Sequence, residues 1–161
     1  LFPALMAFAA SSDLLTMTIS NRRSPSRAGG FVLLALVTVM TFTAIGWHLG
    51  AAALVLAIAF ICFSRGWVGG GDAKLAAATA LWFGFSHLMD YLLMAAMFGG
   101  VLTLVILIVR QWPLPLVFAR QPWISRLHDM KSGIPYGIAL ALAGLMIYPD
   151  TDFIRALAIG N

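Results

Sequence analysis

The sequence predicts an all-α fold: one polytopic membrane domain over residues 1–161, with about six transmembrane helices and both termini on the outer side. Two observations lead there. Of 161 residues, 61% are hydrophobic and 10% charged, with a mean hydropathy of +0.95, where a soluble domain is about half apolar and a quarter charged. So little charge does not cover a water-exposed surface, but it suits a surface covered by lipid. The second observation is order: six apolar segments follow one another, and the basic residues gather on alternate connections.

The first segment covers residues 2–19 and is interrupted by Ser11, Ser12 and Asp13. It has no basic n-region and no A-x-A cleavage pattern, so it reads as a retained span rather than a signal peptide. The second segment covers 30–47 and the third 51–64. From 73 to 110 the chain is apolar almost throughout. One helix of that length would reach roughly 57 Å, nearly twice the hydrocarbon core of a bilayer. The stretch therefore folds back into segments four and five, and Gly84, Ser86, His87 and Asp90 mark the expected turn. Segment six covers 135–148 and ends at Pro149 and Asp150.

Arg22, Arg23 and Arg27 lie between segments one and two, Arg65 and Lys74 between three and four, and Arg110, Arg120, Arg126 and Lys131 between five and six. Only Arg155 falls elsewhere. The positive-inside rule places these alternate connections in the cytoplasm. The net charge of +4 and pI near 9.8 would raise nucleic acid as a partner of a soluble protein; here the basic residues are topological, the expected partner is the lipid bilayer, and no nucleic acid is expected. The single Cys62 excludes an internal disulfide and a CxxC zinc site, and reads as a small hydrophobe. Residues 111–132, with three prolines, are either a solvated loop or an amphipathic surface segment anchored by Trp112, Phe118 and Trp123.

Ionisable groups inside membrane spans are costly and mark functional sites. There is no glutamate, and Asp13 is the clearest case, because too few apolar residues separate it from Asn21, Arg22 and Arg23 for a span to begin after it. Asp72 ends the run Gly69-Gly70-Gly71-Asp72 before the helix-forming Ala73-Lys74-Leu75. Taken alone it is either an ordinary helix N-cap or a site residue whose glycines let the backbone bend sharply and a substrate strand approach. The glycines are neither a Walker loop, since no GK[ST] follows, nor a dinucleotide fingerprint. By the predicted topology both aspartates lie at the cytoplasmic side. Two carboxylates converging in a low-dielectric site share a proton. The ionised member can then take a proton from water while the protonated one polarises a scissile carbonyl. That is aspartic protease chemistry, which needs no metal and no cofactor. His48 and His87 are expected on the outer side and His128 in the 111–132 connection, so no histidine–cysteine ligand cluster and no serine–histidine pair is expected.

The GxGD pattern at Gly69-Gly70-Gly71-Asp72, continued by Ala73-Lys74-Leu75, closely resembles the type IV prepilin peptidases. So does Asp13 eight residues before Asn21-Arg22, although Ser20 stands where that family usually has proline. A third element, Gly133-Ile134-Pro135-Tyr136-Gly137, is similar to the Pro-aromatic-Gly start of the family's last helix. The short form without a preceding cytoplasmic domain resembles the Flp/Tad-type pilus peptidases, and lacks the cysteines and length that accompany methyltransferase activity in bifunctional relatives. Presenilin-like and signal-peptide-peptidase-like enzymes share GxGD, but their first aspartate usually follows tyrosine, where Ser12 precedes Asp13 here.

The resemblance implies a single aspartyl peptidase domain in the bacterial inner membrane, with catalytic Asp13 and Asp72 facing the cytoplasm. It implies a prepilin substrate, cut between its basic leader and the start of its hydrophobic helix, and pilus assembly proteins as further partners. Gly69 and Gly71 belong to the implied site. Lys74 either holds an acidic group or tunes Asp72, or is a snorkelling interface lysine. Asn21 reads as a cap, Tyr136 as a groove wall or an interfacial aromatic, and Asp90 as a turn residue on the opposite face. The competing reading is a non-enzymatic membrane protein: a proton-linked carrier, or a pilus platform subunit whose aspartates pair with basic groups.

Overall fold

A computed structural model of the chain describes residues 2–16, 41–114, 121–130 and 132–151. Among these residues the fold is all-helical: α1 (Phe2–Thr16), α2 (Phe42–Ser64), α3 (Gly70–Phe83), α4 (Leu88–Arg110), α5 (Pro122–His128) and α6 (Tyr136–Ile147), closed by a 3₁₀ turn at Tyr148–Asp150. α2 and α4 are 23 residues each, about 35 Å long and sufficient to cross a bilayer. Most of their large apolar side chains are exposed, including Leu54, Ile58, Ile61, Leu93, Leu104 and Ile108. A core helix of a soluble protein would bury that surface; these two helices fit a membrane protein.

The expected break between segments two and three, at residues 48–50, is not a break. α2 runs through Gly46, His48 and Gly50 without interruption, and begins at Thr41, whose Oγ1 accepts the Ala44 N–H at 3.3 Å. Two glycines lower helix propensity, but each costs only about 1 kcal/mol. Here Gly50 also leaves room for Phe85, whose Cε2 lies 3.2 Å from the position a Cβ would occupy. Most of the expected second segment lies outside the described residues. The Thr41 cap is worth about 1 kcal/mol, so Thr41→Ala should lower the thermal midpoint slightly, as read by circular dichroism in detergent, without changing helix content.

The expected turn between segments four and five is at residues 84–87. Gly84 closes α3 with φ +59 and ψ −166, a conformation L side chains rarely adopt. A Cβ there would also meet the His48 ring at 3.0 Å, and His48 Nδ1 bonds the Leu81 carbonyl at 2.8 Å. His48 thus ties α2 to the end of α3 remote from Asp72.

α6 is the hub, packing against α1, α3 and α4, while α2 lies along α3. Gly137, Ala141 and Gly144 fall at i, i+4 and i+7 on α6 and are all buried, so neighbouring backbones approach closely, as small residues allow in membrane helix pairs. Phe2 fills the space opposite, stacked on Tyr148 with ring centroids 4.7 Å apart and tilted against Trp82 at 5.0 Å. Thr79 is fully buried on α3 and satisfies its hydroxyl on the Leu75 carbonyl at 2.8 Å. On α4, Gly99 lies directly under the Tyr136 ring, where any Cβ would overlap the phenol. Gly99→Ala should therefore destabilise by about 1–3 kcal/mol, measured as a lower unfolding midpoint, although alanine is the better helix former.

Within 111–132 the described residues are 111–114, 121–130 and 132. They contain the seven-residue α5, which packs on α4 and α1, with Trp112 exposed and Trp123 half-buried. Phe118 lies outside the described residues.

Candidate active site

Asp13 sits near the end of α1 and is only 4% exposed. Its Oδ2 accepts the Gly137 N–H at 2.8 Å. That contact answers a local need of α6. The first N–H groups of a helix have no internal partner, and the N-cap of α6 is Pro135, which has no side-chain acceptor to offer. Asp13 supplies the acceptor from another helix. Gly137 must then be glycine-sized, since a Cβ would stand 2.7 Å from Asp13 Oδ2.

Asp72 is the third residue of α3 rather than its N-cap. The helix opens earlier than expected because the Gly69 carbonyl already accepts the Ala73 N–H at 3.0 Å. The Asp72 carboxyl folds back over this end: a Cβ on Gly69 would lie 3.0 Å from its Oδ2. The sharp bend expected of the triple glycine lies upstream instead, at Gly66 with φ +74. Gly69 has an ordinary extended conformation, and Gly70 and Gly71 are helical. What Gly69 and Gly70 provide is space, for the Asp72 carboxyl and for the Phe63 ring respectively.

The two aspartates line one cavity of about 810 Å³. Its walls are the end of α1, the connection 66–69, the start of α3, Arg110 at the end of α4, and residues 132–136. Such a cavity can hold a water between two carboxyls, one ionised and one protonated, and so can move a proton onto or off a bound group. Among the described residues no cluster of three or more metal-ligating side chains forms.

Of the other expected site residues, Gly69, Pro135 and Tyr136 line the cavity, and Gly137 holds Asp13. Lys74 is exposed on α3 and outside the cavity wall, and Gly71 is not part of that wall either. Asn21 lies outside the described residues. Asp90 sits in the first turn of α4, after the turn that closes α3 at its far end. Sequence reasoning did not mark Gly66, Trp67, Val68, Arg110 or Ser132 as cavity residues. Trp67 is largely exposed beside the motif, with Arg65 over its ring at 5.3 Å; an aromatic two residues before a GxGD pattern was the available signal. Arg110 carried no signal beyond its topological charge.

Fold and site together define a helical protein, fit for a membrane, with a paired-carboxyl cavity at one end of the bundle. The chain belongs to the type IV leader peptidase family, whose pattern it matches over residues 1–104. The match includes Asp13 and Asp72 and stops before Pro135-Tyr136-Gly137. The family is membrane-embedded, its members are proteases, and membership supports prepilin leader peptidase activity in general. Searches among curated proteins and solved structures returned no match.

Proposed function

We propose that this chain is an aspartic prepilin peptidase in which Asp13 and Asp72 activate one water molecule. The observation that carries the reading is that these residues, from helices far apart in sequence, line one cavity in a chain of the leader peptidase family. The ionised carboxyl takes a proton from the water as its oxygen attacks the scissile carbonyl carbon. The protonated carboxyl donates to the carbonyl oxygen, where charge develops. Collapse of the tetrahedral intermediate breaks the C–N bond: the departing amine takes the proton that the first carboxyl removed from water, and the second carboxyl recovers its proton from the hydroxyl as the C=O bond re-forms. The leader ends in a new carboxylate, and the mature pilin begins with a new amine. With one Asp13 oxygen held by Gly137, its other oxygen is oriented for the water.

The proposed substrate is an Flp-type prepilin, cut between its basic leader and hydrophobic helix; the resemblance to short Flp/Tad peptidases supports this. The cavity has the size of a site for a few residues of extended chain. The same reading has one domain over residues 1–161, six spans, both termini periplasmic, and the site facing the cytoplasm from the bacterial inner membrane. Its support is that Arg65 and Arg110 adjoin the carboxyl cavity, and basic connections stay on the cytoplasmic side. Pilus assembly proteins are proposed as further partners.

The test is incubation of the purified chain in detergent with full-length Flp-type prepilin, with products weighed by mass spectrometry. The expected product is mature pilin lacking the leader. Intact prepilin after long incubation with folded chain would overturn the reading, and proton flux in liposomes without cleavage would favour a carrier.

A further inference from the structure

We infer that Arg110 is a positioning residue: it anchors residues 132–137 and, through them, the Gly137 N–H that orients Asp13. This rests on the peptidase reading above.

Arg110 closes α4, where a cation suits the helix's negative end. An arginine with a purely topological role would keep its guanidinium in water or among lipid headgroups. This one is bound to main chain instead. Its Nε donates to the Leu127 carbonyl at 2.8 Å, and Nη2 donates to the carbonyls of Ser132 at 3.1 Å and Gly133 at 3.2 Å. A guanidinium presents a planar fork of donors that can reach several acceptors at once, which a lysine's single nitrogen does not reproduce.

The anchored residues lead straight into the site. From Gly133 the chain passes Ile134, whose carbonyl accepts the Tyr136 N–H at 2.8 Å, and Pro135, which is buried and has φ −72. Next come the Tyr136 ring, seated on Gly99, and the Gly137 N–H, bonded to Asp13 at 2.8 Å. Gly99 and Arg110 both belong to α4, about three turns apart. One helix therefore grips this segment at two points, and α1 meets it at Asp13. A segment held at Tyr136 alone can pivot about that ring, and the Gly137 N–H then moves off the carboxyl. The predicted consequence is lost orientation of Asp13 with substrate affinity retained.

The test uses the full chain in detergent with prepilin, comparing Arg110→Gln, Arg110→Lys and, as control, Arg126→Gln. Arg126 is exposed, and its Nε donates to the Pro122 carbonyl within α5. Arg110→Gln should lower kcat roughly 10- to 100-fold while KM stays within about twofold. It should also speed amide exchange at 132–138 without changing exchange in α3. Arg110→Lys should recover only part of the loss, and Arg126→Gln should behave as the original chain. Unchanged kcat in Arg110→Gln overturns the inference, as does unchanged exchange at 132–138. So does a rise in KM alone, which would make Arg110 a substrate-binding group. If the glutamine variant does not fold, full activity in Arg110→Lys overturns it. Failure of the unsubstituted chain to cleave would instead count against the peptidase reading, and the exchange measurements would still decide whether Arg110 holds the segment.

Discussion

Asp13→Asn and Asp72→Asn are each expected to lower prepilin cleavage at least about a thousandfold, because in the proposed mechanism each removes one partner of the proton relay, and no other carboxyl lines the cavity among the described residues. Asparagine is the informative replacement. At Asp13 its amide oxygen can still accept the Gly137 N–H now bonded at 2.8 Å, so α6 stays capped and the loss reads as chemistry. Asp13→Ala would also strand that N–H, at a cost of about 1–3 kcal/mol, and would confuse stability with catalysis. Residues that act as one unit are not additive, so the double asparagine variant should be no slower than the worse single one. Activity that needs one proton shared by two carboxyls gives a bell-shaped dependence of kcat on pH, whose limbs belong to the pair rather than to either residue. The measurement is single-turnover cleavage alongside a melting curve for each variant. Full cleavage by either single variant ends the dyad reading.

Gly137→Ala should produce the second largest effect, about a hundredfold loss in kcat with little change in helix content. Helix propensity alone favours the change by about 1 kcal/mol. The local geometry opposes it, because the new Cβ would stand 2.7 Å from Asp13 Oδ2 and 2.9 Å from Cγ. Real contacts do not approach so closely, so either the carboxyl swings out of place or the start of α6 retreats. In both cases the hydrogen bond that orients Asp13 is lost. Steady-state cleavage and a thermal midpoint on the same preparation distinguish the outcomes. A variant that melts as before and cleaves as before would show that the Gly137–Asp13 contact has no part in the reaction.

The sequence by itself was sufficient for the class of the fold, because composition and apolar run length are one-dimensional properties. It also marked both aspartates: Asp13 as a charge inside an apolar run, Asp72 through the motif around it. The fold-back at residues 84–87 was legible too, since a helix spanning 73–110 overshoots any bilayer. The continuity of α2 through 48–50 was not, because His48 and Gly50 resemble a break until their partners, the Leu81 carbonyl and the Phe85 ring, are known.

Only the tertiary structure decided what the third element does. Pro135, Tyr136 and Gly137 could be recognised as a pattern. Their work, however, is done on Asp13 and Gly99, and no local periodicity records a hydrogen bond to a residue at the other end of the chain. For the same reason Arg110 read as a topological charge while its guanidinium holds three carbonyls beside the cavity. Hydrophobic runs and charge asymmetry are sums over neighbours and survive in one dimension. The orientation of a carboxyl depends on which distant N–H group meets it, and that is decided only when the helices pack.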